Sequence, residues 1–121
     1  MEIIGYEGLY EINENGEVFR LPRYYNTKNG LRYYNKKRVQ PTTKFGGQQV
    51  VLTKDGKRTW YQLKYLVALH YIPNPNNYNH TMYIKSTGDN INIPINIKWV
   101  SESEYLENFK NNRYKSIDIS R

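Results

Sequence analysis

The chain has 121 residues, two His and no Cys, with 18 Lys and Arg against 11 Asp and Glu for a formal net charge of +7. That length holds one domain with one modest core, and the lack of cysteine excludes disulfides, thiolate metal sites and a thiol nucleophile. No apolar run nears the roughly 20 residues of a membrane-spanning helix, and Met1 to Gly5 has no charged region leading into an apolar one, so no membrane partner is expected. Thirteen Tyr, three Phe and two Trp give an otherwise polar chain the buriable area to fold.

Residues 3–21 predict a hairpin. Leu9-Tyr10-Glu11-Ile12 and Glu17-Val18-Phe19-Arg20-Leu21 flank Asn13-Glu14-Asn15-Gly16, and Asn15 and Gly16 both tolerate positive φ. Residues 22–45 show no clean period and contain Asn29-Gly30, reading as a basic excursion with room for an irregular hairpin. Gly46 to Thr53 and Arg58 to Gln62 flank Lys54-Asp55-Gly56-Lys57, whose Asp-Gly predicts a second tight hairpin.

Leu63, Leu66, Val67, Leu69 and His70 fall at helical spacing and predict a helix over residues 62–71, stopped by Pro73-Asn74-Pro75. His70, near its end, is expected to be a satisfied or dipole-stabilised imidazole rather than a ligand. Residues 76–95 read as loop, with a turn at Ser86-Thr87-Gly88-Asp89 and a short strand at Met82-Tyr83-Ile84-Lys85. Ser101 and Glu104 form a capping box, which opens a second helix burying Tyr105, Leu106 and Phe109 ahead of a short tail from Lys115 to Arg121. The expected class is α+β, with small antiparallel hairpins and two helices. The expected parts are residues 1–21, 22–45 and 46–121 within one compact unit.

The charge is uneven. Residues 1–19 hold five Glu and no base, whereas residues 20–64 hold twelve Lys and Arg against Asp55 alone. In this block Arg20, Arg23, Arg32, Lys36, Lys37, Arg38 and Lys44 interleave with Tyr24, Tyr25, Tyr33 and Tyr34, combining phosphate-binding cations with stacking rings. A solvated basic loop packed by its own tyrosines explains the same composition, and an acidic protein surface would suit the patch as well as DNA.

The run Ile4-Gly5-Tyr6-Glu7-Gly8-Leu9-Tyr10-Glu11-Ile12-Asn13-Glu14-Asn15-Gly16-Glu17-Val18-Phe19-Arg20 closely resembles the NUMOD-type motif attached to HNH homing endonucleases of phages and mobile introns. Val50-Val51-Leu52 through Asp55-Gly56-Lys57, then Leu66-Val67-Ala68 and Tyr71-Ile72-Pro73-Asn74-Pro75-Asn76-Asn77, look like the strand, turn, helix and stop that lead into the HNH motif. Asn96-Ile97-Lys98-Trp99-Val100-Ser101 is similar to the stretch that closes it. The resemblance implies a ββα-metal-like unit, in which a His activates water and an Asp or Asn with a second polar residue holds a divalent metal.

By that resemblance the base falls on Tyr83 or Ile84, and the preceding ligand on Met82 or Tyr83. The second ligand falls on Tyr105, and the His that opens the preceding helix on Lys64. Asn79-His80 imitates the motif's Asn-His pair but lies three or four residues early. These exchanges imply a degenerate unit with no metal, no cofactor and no enzymatic activity. The expected role is then a non-catalytic structural protein docked on a large assembly such as a phage capsid, placed in the virion or host cytoplasm, with its tail held by the partner. The alternative is a non-cleaving, weakly sequence-specific DNA-binding protein, since no helix carries Arg, Asn and Gln at base-reading spacing. A residual nuclease working through His80 is a third reading.

Overall fold

The computed structural model describes residues 1–44, 47–85, 88 and 90–108. Turn chemistry sets its strands. β1 (Tyr10–Ile12) and β2 (Val18–Arg20) pair antiparallel about a loop in which Asn13 Oδ1 accepts from the backbone N–H of Asn15 and Glu17, both at 3.0 Å. Gly16 has φ +75° and lies so close to Asn92 that a Cβ there would stand 2.4 Å from its carbonyl oxygen. Only glycine fits, because both the backbone conformation and the space demand it.

β3 (Arg23–Thr27) and β4 (Gly30–Tyr34) form a two-stranded ribbon in register from Arg23↔Tyr34 to Thr27↔Gly30. The expected irregular hairpin is therefore a regular one. β5 (Lys37–Val39) then returns to β2, Val39 opposite Val18, to complete a sheet of order β1-β2-β5. β6 (Thr42–Lys44), β7 (Gly47–Lys54) and β8 (Lys57–Gln62) make a second three-stranded sheet. The β7–β8 turn holds Asp55 at φ 52° and Gly56 at φ 78°, the two positive values that a two-residue primed turn requires.

α1 (Leu63–Tyr71) follows β8 directly. β9 (His80–Tyr83) and β10 (Ile97–Val100) pair antiparallel, and a helix α2 spans residues 102–108. The fold is α+β, with small antiparallel sheets and two helices, as the sequence indicates.

The period-2 pair Val50 and Leu52 of β7 meets Leu63, Leu66, Val67 and Ala68 of α1, and the N-terminal hairpin closes the core with Ile3, Tyr6, Tyr10, Ile12 and Val18. Phenols and an imidazole join these layers at their polar edges. Tyr71 Oη donates to the Ile12 carbonyl at 2.7 Å, Tyr10 Oη accepts from Thr53 N–H at 3.1 Å, and Tyr6 and Tyr61 hydroxyls bond at 3.0 Å. His70 is satisfied, as expected. Its Nε2 accepts from Ile4 N–H at 2.9 Å, so Nδ1 carries the proton it donates to the Leu66 carbonyl at 2.7 Å.

The strand expected over Met82 to Lys85 begins two residues earlier. His80 pairs with Val100, and the ladder ends at Tyr83↔Ile97 because the buried Asn96 captures the next residues. Asn96 Oδ1 accepts from Lys85 N–H at 2.9 Å, while Nδ2 donates to the carbonyls of Lys85 and Ile91 at 2.7 and 2.9 Å. Asn74 does the same locally, bonding Tyr78 N–H and carbonyl at 2.9 and 2.8 Å. Carboxamides thus staple the segment between α1 and β10.

Ser101 Oγ caps Glu104 N–H at 3.2 Å, but the Glu104 carboxylate reaches Lys98 at 3.1 Å instead of closing the box. Leu106, expected to be buried, faces solvent because it lies on the outer side of α2. The turn residues Ser86, Thr87 and Asp89, Phe109 and the tail lie outside the described residues.

Candidate nucleic-acid interface

Residues paired across an antiparallel ribbon share a face, and successive residues alternate. Arg23, Tyr25, Arg32 and Tyr34 therefore share one face of β3–β4, and Tyr24, Asn26, Leu31 and Tyr33 the other. On the first face the Arg23 guanidinium lies 4.6 Å from the Tyr25 ring centroid and its Nε bonds the Tyr25 hydroxyl. Tyr25 and Tyr34 meet edge to face at 4.9 Å, and Arg20 reaches the Tyr34 ring at 5.9 Å, its buried Nε without a hydrogen-bond partner among the described residues. On the second face Tyr24 and Tyr33, 64% and 53% exposed, tilt together at 5.0 Å. Among the described residues the ribbon pairs with no third strand.

The acidic N-terminal segment neutralises part of the basic block. Lys36 pairs with Glu11 while covering the Phe19 ring at 4.7 Å, and Arg38 Nη1 approaches Glu17 at 3.7 Å. Arg23, Arg32 and Lys37 make no ion pair among the described residues. Lys44 closes β6 opposite Gly47. The eleven residues named from sequence thus divide into an aromatic, cationic ribbon, two cations engaged with acids, and a remainder flanking them.

The β9–β10–α2 unit holds the remaining candidates. Tyr83 donates its hydroxyl to Asn92 Oδ1 and lies beneath the Lys64 ammonium, 5.2 Å from ring centroid to Nζ. Burial pushes the phenol up to about 12 and pulls the Lys64 ammonium below its usual value. Met82 is half-buried, Ile84 is 63% exposed, and Tyr105 stacks on His80 with centroids 4.3 Å apart and planes 11° from parallel. Sequence reasoning missed this stack, because nothing in the spacing of two residues so far apart announces it. The side chains at these positions offer the His80 imidazole, stacked on the phenol of Tyr105, and a second phenol, Tyr83, already bonded to Asn92, and no three His, Cys, Asp or Glu converge among the described residues. That set does not fit the divalent metal implied by the resemblance.

No protein-family model matches the chain. It is similar to DNA endonuclease I-HmuI of Bacillus phage SP01, 29% identical over 109 residues that make up 88% of this chain and 55% of the relative. The chain therefore spans about half the length of that curated relative. It also superposes on a solved structure described as DNA binding and cleavage by the HNH homing endonuclease I-HmuI, with TM-score 0.66 and 25% identity over 99% of this chain and 64% of that one. These findings overturn the expectation that the chain is no enzyme. The four exchanged positions suggested a dead site, yet the protein it resembles along most of its length is a DNA endonuclease, and exchanges at positions assigned by resemblance do not establish inactivity. In sequence over 88% of its length and in fold over 99% of it, the chain is similar to the phage HNH homing endonuclease I-HmuI.

Proposed function

We propose that this protein binds duplex DNA through the β3–β4 ribbon and the cations beside it. The observation that carries the reading is the ribbon itself, a projecting pair of strands whose Arg23 and Arg32 have no acidic partner among the described residues. A two-stranded ribbon fits a major groove about 12 Å wide, and arginine presents a fork suited to phosphate oxygens. The DNA binding of the I-HmuI endonuclease supports this choice over a capsid protein. Backbone contacts dominate, so binding is only weakly sequence-dependent, and the working place is the host cytoplasm.

Endonuclease activity is the second reading, favoured by the relative and by His80. That imidazole starts β9 instead of lying in the loop, and it faces α2 in the unit that carries the chemistry in HNH enzymes. His80 would serve as the base that activates water.

The test is a gel-shift and nicking assay on duplex DNA at about 50 and 200 mM salt, with and without magnesium, on the native protein and His80→Ala. A salt-sensitive shift supports DNA binding, and the absence of any shift at the lower salt overturns it. Nicking lost in His80→Ala supports the second reading, whereas nicking that survives removes His80 from it.

A further inference from the structure

Beside the stacked pair His80 and Tyr105 lies a cleft of about 230 Å³ that the ribbon does not touch. Its walls come from three elements, with Trp60 and Gln62 at the end of β8, Tyr65 on α1, and Asn79 and His80 at the start of β9, while Tyr105 of α2 closes the fourth side. The rings are held in place. Tyr65 is braced edge to face against Trp99 at 5.8 Å, and the Trp99 indole N–H is fixed to the Ile72 carbonyl at 3.1 Å. Trp60 leaves 44% of its surface exposed, and Gln62 and Asn79, which also line the cleft, are exposed residues.

Three properties define the occupant. The volume falls below the ~300–1,000 Å³ of clefts that take drug-sized ligands, leaving room for one planar ring system. The aromatic walls favour a flat, polarisable surface, on which stacking is tolerant of identity. The carboxamides each offer a donor and an acceptor to the edge of such a ring. Among the described residues no side chain lining the cleft carries a fixed charge, so a bare phosphate or a carboxylate is a poor match.

We infer that this cleft receives a single nucleobase, stacked within the Trp60, Tyr65 and His80–Tyr105 walls and bonded at its edge by Gln62 and Asn79. The inference deepens the DNA-binding reading and rests on it for the source of the base, a nucleotide turned out of the duplex. Such extrusion is easiest where a base is already unpaired. A free mononucleotide offers the same chemistry, and the experiment separates the two sources.

The experiment compares a fully paired duplex with the same duplex carrying one bulged nucleotide. A titration with AMP or TMP, read by tryptophan fluorescence, runs alongside. Native protein is expected to prefer the bulged duplex by about 5- to 150-fold, the range that stacking of one base supports. Tyr105→Ala should abolish that preference without changing affinity for the paired duplex, and Tyr105→Phe, which keeps the ring, should retain it. Quenching by the mononucleotide alone, lost in Tyr105→Ala, would assign the cleft to free nucleotides. Equal affinity for both duplexes together with no mononucleotide quenching overturns the inference, and so does a preference that survives in both Tyr105→Ala and Gln62→Ala. Failure to bind the paired duplex, with quenching intact, overturns the DNA-binding reading and leaves the cleft assigned.

Discussion

Arg32 gives the sharpest perturbation of the proposed interface. It lies on β4, where every residue is exposed, and it has no acidic partner among the described residues, so Arg32→Gln removes one charge without disturbing the core. Each phosphate contact contributes about 0.9 to the slope of log affinity against log salt, which at ~0.1 M amounts to about an eightfold change in affinity. The substitution should therefore lower the slope by about one unit and the affinity by nearly a factor of ten, while leaving thermal stability within about 0.5 kcal/mol of the native value. Glu11→Gln should act in the opposite sense, because it frees Lys36 and removes a repelling carboxylate from beside the ribbon. Fluorescence anisotropy with labelled duplex at several salt concentrations reads both effects. An unchanged slope in Arg32→Gln would refute the assignment of phosphate contacts to the ribbon.

The scaffold yields further expectations. Gly16→Ala should destabilise the fold by about 1–3 kcal/mol in urea unfolding, since φ is +75° and the new Cβ would stand 2.4 Å from the Asn92 carbonyl oxygen. Asn96→Ala should cost about 2–3 kcal/mol and loosen the loop at residues 85–96, detectable as lost amide-exchange protection, because it removes three hydrogen bonds from a buried carboxamide. Leu66→Ala, in the centre of α1 with 1% exposure, should cost about 2–5 kcal/mol by calorimetry. At alkaline pH Tyr61, Tyr71 and Tyr83 should titrate late by ultraviolet absorbance, Tyr71 because burial and the nearby Glu14 and Glu11 raise it. Tyr61 is raised to about 12 by its hydrogen bond to Tyr6, and Tyr83 to about 12 by burial. A phenol whose pKa is raised on folding contributes stability below its unfolded value and loses it as pH climbs through the folded value, so stability should fall between about pH 10 and 12. Tyr83→Phe should remove one of these late groups.

The hairpins and the first helix were legible because local chemistry dictates them. Asp55-Gly56 supplies the φ values of a primed turn, and Leu63, Leu66 and Val67 put one helical face on β7. The basic excursion was legible as charge and aromatic content but not as form, since the Tyr24–Tyr33 and Tyr25–Tyr34 contacts exist only once the register brings the two strands together. The start of β9 was misplaced because Met82 to Lys85 look more strand-like than His80-Thr81, while the residue that ends the ladder, Asn96, lies far along the chain. The neutralisation of Lys36 and Arg38 by Glu11 and Glu17 was hidden for the same reason, with acid and base in separate segments joined only by the pairing of β2 with β5. The His80–Tyr105 stack and its cleft depend on β8, α1, β9 and α2 at once.

The most direct test is to shorten the ribbon. Replacing residues 24–33 with a two-residue Asn-Gly turn leaves β2 and β5 free to pair as they do now, because Val18↔Val39 and Arg20↔Lys37 do not involve the ribbon. Binding of native and shortened protein to the same duplex would then be measured across about 50 to 200 mM salt. The native protein should bind with a steep, linear loss of log affinity against log salt, and the shortened protein, folded by circular dichroism, should lose most of both the affinity and the slope. A shortened protein that binds as tightly and with the same slope would contradict the assignment of DNA binding to the ribbon.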